Sequence, residues 1–438
     1  MNTEKRKIFL LSMDVNGIKN IEKNIHIDFY KNTISKNFDA SKYSIKGIYG
    51  ENGVGKSALI TAAYIFNQVM ISSRYLSNEL NNKKLCYLIN KNTNSAEISF
   101  DYLINEDEII NIYKYSIELK IENGFCRIVK ESLYKRKSNN INRLIYEVRN
   151  GELTIKGSDI FERYIKEISK NLLKDRSLLS IIVDTDIDDK YSDTLLDMYN
   201  VINCGLYTYI YLNDKESNDN YIVNKAIREF INKGATKNAI PKITKTIKYL
   251  TCKGKTAILA KDFNYYLEEI KNLEKFIKIF KPDLKSIKVD KTINKDEYIC
   301  ELVFSYDKYE VAGEFESTGI KRLVELFAAF NYVSNGYVVF IDELDANIHD
   351  YYLCKLLDYV GEYTKGQLCF TTHNLGPMKI LEKYKKSIDF ISRNGDVVSW
   401  IKNGNYDVTN LYRNGKIEKS PFNIESFEFL SVFDGGDK

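Results

Sequence analysis

The chain has 438 residues, a formal net charge of +4, and 44% hydrophobic residues with only 4 prolines. This composition excludes a disordered protein, because a disordered chain has too few apolar residues to form a core. The length allows about three domains of average size, and the small net charge does not require a nucleic-acid partner.

The 7 cysteines are odd in number and include no C-x-x-C pair. Neither a disulfide framework nor a zinc site is therefore predicted, and reduced thiols in the cytoplasm are expected. No apolar stretch approaches the ~18 residues that a membrane-spanning helix needs. We accordingly predict a cytoplasmic protein that does not bind a membrane.

The first elements in chain order are two strands between Ile8 and Phe29, around a turn at Asn16-Gly17. A short buried strand follows at Ser44–Tyr49, and an apolar helix is predicted at Ala58–Met70. The string GENGVGKS lies between that strand and that helix. It satisfies the phosphate-loop pattern G-x-x-x-x-G-K-[ST] in the context that the pattern requires.

Glycines in this loop allow a tight turn that directs backbone N–H groups toward an anion at the start of a helix. Lys56 would bridge the terminal phosphates of a nucleotide, and Ser57 would offer its hydroxyl to Mg²⁺. Glycine-rich turns that end in Lys-Ser also arise by chance, but the flanking strand and helix favour the phosphate loop. The predicted nucleotide-binding residues are Gly50, Asn52, Gly53, Gly55, Lys56, Ser57 and Ala58.

Alternating apolar and polar residues between Ala96 and Tyr134 predict an antiparallel sheet, and strands return at Tyr298–Tyr306. The sequence between these regions has a helical character. Amphipathic helices are predicted at Phe161–Leu173, Asn224–Ile231 and Phe263–Ile279.

A lysine-rich stretch between Ile231 and Ala260 contains no acidic residue. It is a candidate contact for a polyanion such as nucleic acid, although a solvated surface is the more favoured interpretation. Its lysines are Lys233, Lys237, Lys242, Lys245, Lys248, Lys253 and Lys255. The acidic string at 183–193 lacks the glycine and glutamate of a calcium loop and is predicted to be a solvent-exposed loop.

The string ESTGIKRL precedes a helix, because apolar residues recur at helical spacing after Gly319. The start of this helix, with Ser317 and Gly319, can present a hydroxyl and backbone N–H groups to a phosphate. An ordinary N-capped amphipathic helix is the alternative when this string is taken alone.

The string VVFIDELD begins with a four-residue apolar run at Val338–Ile341, which is typical of a parallel strand buried on both faces. Asp342 is the predicted Mg²⁺ ligand and Glu343 the predicted general base for an attacking water. Acidic residues often follow apolar strands, so the prediction depends on the pairing of this string with Lys56.

The string TTHN follows another apolar strand, Leu368–Thr371. It places His373 at the end of that strand. A surface histidine is the default interpretation of such a position, but the chain has only 3 histidines.

The order and spacing of these four strings resemble the ATP-binding-cassette class of P-loop ATPases. Ser57 and Asp342 are separated by more than half of the chain, whereas ESTGIKRL ends at Leu323, shortly before Asp342. The resemblance implies that Ser317 and Gly319 complete the ATP site of a second subunit. It also implies that His373 contacts the γ-phosphate and the attacking water.

Within that class, the strings ESTGIKRL, DELDANIHD and TTHN resemble bacterial AAA family ATPases of the abortive-infection and overcoming-lysogenization-defect groups. The resemblance covers roughly residues 1–135 and 295–425, and it implies that Asp345 and His349 belong to a loop at the subunit interface. The chain departs from the family at Ile320, where Thr is common, and at Asp350, where Pro is common. The glutamine that cassette ATPases use to sense Mg²⁺ is not assigned, and Glu131 is a candidate substitute.

The resemblance implies an α/β fold: a cassette-type P-loop ATPase head, with a mixed sheet, flanking helices and an antiparallel β subdomain, interrupted by a mainly helical insertion. The predicted domains are 1–140 for the first half of the head, 141–290 for the insertion and 291–438 for the second half. The tail after His373 is too short for the metal-binding nuclease domain of some relatives. A separate effector, such as a nuclease, a kinase or another toxin, is therefore expected, or else a cryptic activity of the insertion.

The expected function is an ATP-dependent molecular switch with ATP and Mg²⁺ as ligands. The resemblance implies a homodimer or higher homo-oligomer formed through the ATP sites, acting in bacterial anti-phage defence. The alternative is a DNA-repair or recombination ATPase that binds DNA through the segment Lys233–Lys255. The energising subunit of a transporter is a third and least favoured class.

Overall fold

The computed structural model describes most of the chain. The described residues are 6–30, 34, 38–106, 109–137, 142–185, 187, 193–212, 250–392, 394–401 and 407–417. Within these ranges, no helix combines the length and the hydropathy needed to cross a membrane.

The fold is mixed α/β, with strands and helices interspersed along the chain. The strands are β1 Arg6–Asn16, β2 Ile25–Asp28, β3 Ile45–Gly50, β4 Ser95–Glu106, β5 Ile109–Glu122, β6 Phe125–Arg136, β7 Arg143–Arg149, β8 Glu152–Ile155, β9 Thr208–Tyr211, β10 Thr256–Leu259, β11 Ser286–Asn294, β12 Glu297–Ser305, β13 Glu310–Ala312, β14 Val338–Ile341, β15 Gln367–Thr371, β16 Ile388–Ile391 and β17 Val397–Ser399. The α-helices are α1 Lys56–Ile71, α2 Glu79–Leu88, α3 Asp159–Ser169, α4 Leu178–Asp184, α5 Asp193–Leu206, α6 Phe263–Phe280, α7 Thr318–Ser334, α8 Asp350–Tyr363, α9 Gly376–Leu381 and α10 Val408–Arg413.

The first sheet is antiparallel and has seven strands in the order β2-β1-β4-β5-β6-β7-β8. Alternate residues of β5 from Tyr113 to Leu119 are buried, as expected for one buried face of a sheet. That face packs on α1, where the ring of Phe66 stacks on Phe100 with the centroids 4.3 Å apart, whereas Phe9 and Leu11 of β1 pack in a smaller core on the other face. The predicted antiparallel sheet between Ala96 and Tyr134 is confirmed.

The central sheet has six strands in the order β17-β16-β3-β15-β14-β9. All neighbours pair in parallel except β17, which lies antiparallel at one edge. Alternate residues of β14 enter two different cores: Val338 and Phe340 pack on the α1 side, and Val339 and Ile341 on the side of α7 and α8. This confirms the predicted parallel strand that is buried on both faces.

The third sheet consists of β10, β12 and β11, with β13 paired to β12. Helix α6 covers it, and one face of α7 completes the same core through residues such as Leu323 and Phe327. The opposite face of α7, which includes Leu326 and Phe330, packs on the central sheet. Helix α7 therefore joins the third sheet to the central sheet.

The predicted insertion at 141–290 differs from the structure in two respects. Strands β7 and β8 extend the first sheet, and β9 is an edge strand of the central sheet paired with β14. Helices occupy more of the described part of this span than strands do, but these three strands make the span part of the first and central sheets. Helices α3 and α6 do match two predicted helices, and the third, Asn224–Ile231, lies outside the described residues.

A buried ion pair joins β3 to β16. The Nζ atom of Lys46 lies 2.7 Å from Oδ2 of Asp389, and the two side chains are 1% and 0% exposed. Ser399 donates a further hydrogen bond of 2.6 Å to Oδ1 of Asp389, and burial lowers the pKa of Lys46. The strand that leads into the glycine-rich loop is therefore held by a charge pair that water cannot replace.

Breaking this ion pair on one side should destabilise the fold. We expect Lys46→Met to lower the free energy of unfolding by about 3–5 kcal/mol, because it leaves the Asp389 carboxylate buried without its cation. The double variant Lys46→Met/Asp389→Leu should recover most of that loss. Urea denaturation measures both effects, and Lys42→Met, which removes an exposed pair with Asp39, is the control with an expected loss below about 1 kcal/mol. A double variant no more stable than Lys46→Met would contradict the assignment.

Candidate functional site

Three of the four motif strings meet at one edge of the central sheet. Strands β3, β15 and β14 are neighbours and run in parallel, so the loops that follow them leave the same edge. The loop after β3 contains the glycine-rich string, the loop after β14 begins with Asp342, and the loop after β15 contains His373. Residues far apart in the sequence are therefore brought together by sheet pairing.

The glycine-rich loop passes directly into α1, whose first turn carries no side-chain cap. The first N–H groups of a helix have no partner within the helix, and here they are left to an external acceptor. Gly55 has a φ of 111°, in the region that favours glycine. A Cβ atom at Gly50 would lie 2.6 Å from the carbonyl oxygen of Ile391, so no larger residue fits there.

The remaining residues of the loop differ in their exposure. Asn52 and Gly53 are exposed, Ser57 is half-buried and Ala58 is buried in α1. The side-chain amide of Asn20 donates a hydrogen bond to the carbonyl of Gly53. The turn after β1 thus supports the tip of the loop.

The Lys56 ammonium lies within the loop and is only 5% exposed. It donates hydrogen bonds of 2.8 Å and 2.7 Å to the carbonyl oxygens of Gly50 and Glu51. Burial lowers the pKa of Lys56 to about 8, and the negative charges of Asp342 and Glu343 oppose that effect. Lys56 and the two acidic residues after β14 therefore interact electrostatically.

The turn after β14 is held on both sides by neighbouring strands. Thr371, at the end of β15, donates a hydrogen bond of 2.5 Å to Oδ1 of Asp342 and accepts one of 2.8 Å from the backbone N–H of Glu343. On the other side, the N–H of Asp342 donates to the carbonyl of Tyr211 over 3.0 Å. Asp342 is 7% exposed, so its carboxylate is fixed at the buried base of the site.

Arg322 connects the helix of the ESTGIKRL string to the same turn. Its guanidinium donates a hydrogen bond of 2.7 Å to the carbonyl of Glu343 and lies 4.5 Å from the ring centroid of Tyr211. The side chain is 3% exposed, and Tyr211 donates a hydrogen bond to Glu325 of the same helix. Helix α7 is thereby attached to the acidic turn within one subunit.

His373 is exposed at the mouth of the site. Partial burial lowers its pKa, the positive charge of Lys56 lowers it further, and the charges of Asp345 and Glu343 act in the opposite direction. Oδ1 of Asp345 is buried and has no hydrogen-bond partner among the described residues. The lowered pKa favours the neutral form of His373, and the side chain is close enough to Lys56 and the acidic turn to respond to their charges.

Ser317 and Gly319 occupy the start of α7, as predicted. The Ser317 hydroxyl caps the helix by accepting a hydrogen bond of 3.3 Å from the N–H of Ile320, and its own proton stays available for donation. Ser317 is exposed. A Cβ atom at Gly319 would meet only the carbonyl oxygen of Asn347, at 3.5 Å. The helix start is thus open to an approaching ligand.

The two residues that depart from the resembled family have different surroundings. Ile320 is 5% exposed and packs in the core beneath the third sheet. Asp350 is the first residue of α8, and its Oδ1 accepts a hydrogen bond of 3.0 Å from the amide of Asn374. Asp350 therefore links the loop after β14 to the TTHN loop. His349 caps α8 by accepting from the N–H of Tyr351.

Glu131 is not part of this site. It is fully buried in β6, a strand with neighbours on both sides, and accepts hydrogen bonds from the N–H of Leu178 (2.8 Å), Tyr146 (2.6 Å) and Tyr115 (3.0 Å). Burial raises the pKa of Glu131. Its role is to cap the start of α4. Glu131 therefore cannot serve as the substitute for the missing glutamine.

The two glutamines have structural surroundings. Gln367 is buried in β15, where its amide accepts a hydrogen bond of 2.6 Å from the N–H of Leu10 and donates one of 3.1 Å to the Leu10 carbonyl. Gln68 is 2% exposed within α1. Neither reaches the residues of the candidate site through a described contact.

Most of the lysine-rich segment Lys233–Lys255 lies outside the described residues. Of its two described lysines, Lys253 forms an ion pair of 2.8 Å with Glu325, and Lys255 is exposed. Across the described ranges, no group of three or more His, Cys, Asp or Glu side chains is arranged to hold a metal ion.

Thr371, Arg322 and Asn20 were not assigned a role from the sequence. The signal for Thr371 is a hydroxyl residue that ends an otherwise apolar buried strand. For Arg322, the signal in the sequence is a cationic residue that lies between apolar residues of an amphipathic helix, where a buried contact is expected. Nothing in the sequence connects Asn20 to Gly53, because that contact depends on how β1 lies against the loop.

No model of a known protein family matches this chain, and no curated protein sequence matches it either.

The protonation of His373 can be measured directly, because the chain has only 3 histidines. We expect NMR titration of histidine-labelled protein to give His373 a pKa below its ordinary value of 6.5, with the proton binding only as the pH falls below that value. Lys56→Met should raise the pKa of His373, because it removes a nearby positive charge. Lys295→Met, at an exposed turn, is the control that should leave it unchanged. A His373 pKa that does not respond to Lys56→Met would show that the two groups are not neighbours.

Proposed function

We propose that this chain is an ATP-binding and ATP-hydrolysing molecular switch with a cassette-type P-loop head. The observation that carries the proposal is the convergence of Lys56, Asp342, Glu343 and His373 at the ends of adjacent parallel strands, beside the uncapped start of α1. A buried lysine and a row of helix N–H groups favour a polyphosphate, and carboxylates beside them favour a hydrolytic reaction.

In the proposed reaction, the amides of the loop and Lys56 hold the phosphates of ATP. Glu343 accepts a proton from water as the water oxygen bonds to the γ-phosphorus. The bond from that phosphorus to the bridging oxygen of the β-phosphate breaks, and ADP and inorganic phosphate result. Neutral His373 can accept a hydrogen bond from the water or donate one to the γ-phosphate.

The donor set fits Mg²⁺. Oδ1 of Asp342 accepts the hydrogen bond from the Thr371 hydroxyl, whereas the second carboxylate oxygen of Asp342 accepts no hydrogen bond from the described residues. Ser57 supplies a hydroxyl from the first turn of α1. A site with one carboxylate, one hydroxyl and substrate phosphates is the usual protein environment of this ion, which when bound neutralises phosphate charge.

The proposal includes a shared site between two copies of the chain. Ser317 and Gly319 are exposed or open at the start of α7, and α7 contacts the acidic turn of its own subunit through Arg322. Nucleotide bound between two copies would therefore contact the start of α7 in one copy. Through Arg322 it would also affect the acidic turn of that same copy. Such an arrangement makes ATP binding a signal for assembly.

The biological role that we propose is that of the ATPase sensor or scaffold subunit of a bacterial anti-phage system that controls a separate effector protein. This part of the proposal rests on the sequence resemblance to abortive-infection ATPases. A DNA-repair ATPase is the alternative, and its main support is the lysine-rich segment Lys233–Lys255. Lys253 of that segment is paired with Glu325, so its charge is already partly balanced within the chain.

Glu343→Gln separates binding from hydrolysis. We expect this variant to bind ATP as the original protein does, to hydrolyse it about 100-fold or more slowly because the general base is lost, and to accumulate as an ATP-dependent dimer or higher oligomer. Phosphate release measures the rate, and multi-angle light scattering with ATP and Mg²⁺ measures the assembly.

Glu362→Gln, an exposed change on α8, is the matched control and should behave like the original protein. A Glu343→Gln variant that binds ATP yet stays monomeric would contradict the shared site. An original protein that binds no ATP would contradict the proposed function altogether.

A further inference from the structure

Thr371 contacts three consecutive residues of the acidic turn. Its hydroxyl donates a hydrogen bond of 2.5 Å to Oδ1 of Asp342 and accepts one of 2.8 Å from the N–H of Glu343. Its carbonyl oxygen accepts a third, of 3.0 Å, from the N–H of Leu344. Thr371 is 1% exposed, so water cannot replace these contacts.

The register of the sheet explains why one residue can make all three contacts. Ile341 pairs with Phe370 in the parallel ladder between β14 and β15, so Thr371 and Asp342 are the next lateral neighbours. Lateral neighbours on adjacent strands point to the same face of a sheet. That face is the side of α1, since Phe340 and Cys369, two residues earlier in each strand, pack in the core that contains α1.

The backbone of Glu343 needs such support. Its φ of 46° lies in the left-handed region, which costs a residue other than glycine about 1–2 kcal/mol. Thr371 holds the N–H of Glu343, and Arg322 holds the carbonyl of Glu343 over 2.7 Å. A strained residue that is fixed at both its N–H and its carbonyl is typical of a functional turn.

We propose that Thr371 is a positioning residue for the hydrolytic site: its single hydroxyl sets both the orientation of the Asp342 carboxylate and the backbone from which Glu343 projects. The inference rests on the proposed ATPase function and deepens it. With Oδ1 held by Thr371, the second oxygen of Asp342 would be the one that binds the proposed metal, and Glu343 is held in the conformation that the turn requires.

The chemistry of the hydroxyl makes the role specific. A hydroxyl donates and accepts at the same time, so Thr and Ser can satisfy both Asp342 and Glu343. Valine has nearly the same shape but can do neither, and would leave two buried polar groups without a partner. The pair of variants Thr371→Val and Thr371→Ser therefore separates the hydroxyl from the shape of the side chain.

The test measures ATP hydrolysis and, separately, the affinity for ADP by calorimetry with Mg²⁺ and with EDTA. We expect Thr371→Val to lower kcat by about 10- to 100-fold, as when a partner of a metal ligand is removed, with a smaller change in KM. It should also weaken ADP binding in Mg²⁺ but not in EDTA. Thr371→Ser should restore both properties to within about threefold of the original protein.

Thr208→Val is the matched control. Thr208 is a buried threonine of the same sheet, its hydroxyl bonds to the carbonyl of Cys204 over 2.8 Å, and it pairs with Val338 at the opposite end of β14 from Asp342. Its valine variant should retain kcat and the Mg²⁺ dependence. If Thr371→Val does not fold, Thr371→Cys, whose thiol is a weak donor, should show the same defects.

Two outcomes would overturn the inference while the proposed function stands: a Thr371→Val variant with the original kcat and Mg²⁺ dependence, or one whose ADP affinity falls equally in Mg²⁺ and EDTA. The latter result would mean that Thr371 supports the fold only. If the original protein binds no nucleotide in either condition, the proposed function fails and the inference fails with it.

Discussion

Parallel hydrogen bonding among β3, β15 and β14 is the constraint on which the rest of the candidate site depends. Each of these strands ends in a loop that carries one part of the site, and the pairing register sets where each part lies. A shift of one residue between β14 and β15 would move Asp342 to the opposite face of the sheet. The apolar residues of β14 oppose such a shift, since they belong to two separate cores.

Charge balance is the second requirement of this sheet edge. Lys56 is buried, and the carboxylates of the neighbouring turn offset the cost of its desolvation. Arg322 is also buried and is directed at backbone carbonyls and at the ring of Tyr211. Lys56 beside the two carboxylates is the part of this balance on which the proposed Mg²⁺–nucleotide site depends, whereas Arg322 holds the backbone of the turn.

The middle of the chain belongs to this arrangement rather than standing apart from it. Strand β9 pairs with β14, and its last residue, Tyr211, contacts the acidic turn, Arg322 and Glu325. Lys253, on the far side of the undescribed segment, is paired with Glu325 as well. Tyr211 and Lys253, which lie on either side of residues 213–249, therefore both contact Glu325 of helix α7.

The sequence by itself determined the local elements: the glycine-rich loop between β3 and α1, the buried strand β14, and the helix that begins at Ser317. These follow from short-range physics, namely apolar periodicity, glycine conformation and helix capping. The tertiary structure alone decided that β9 joins the central sheet, that Glu131 caps α4, and that Thr371 and Arg322 hold Glu343. Those contacts join residues that are distant in the chain, and their partners are selected by sheet register and packing, which no local pattern encodes.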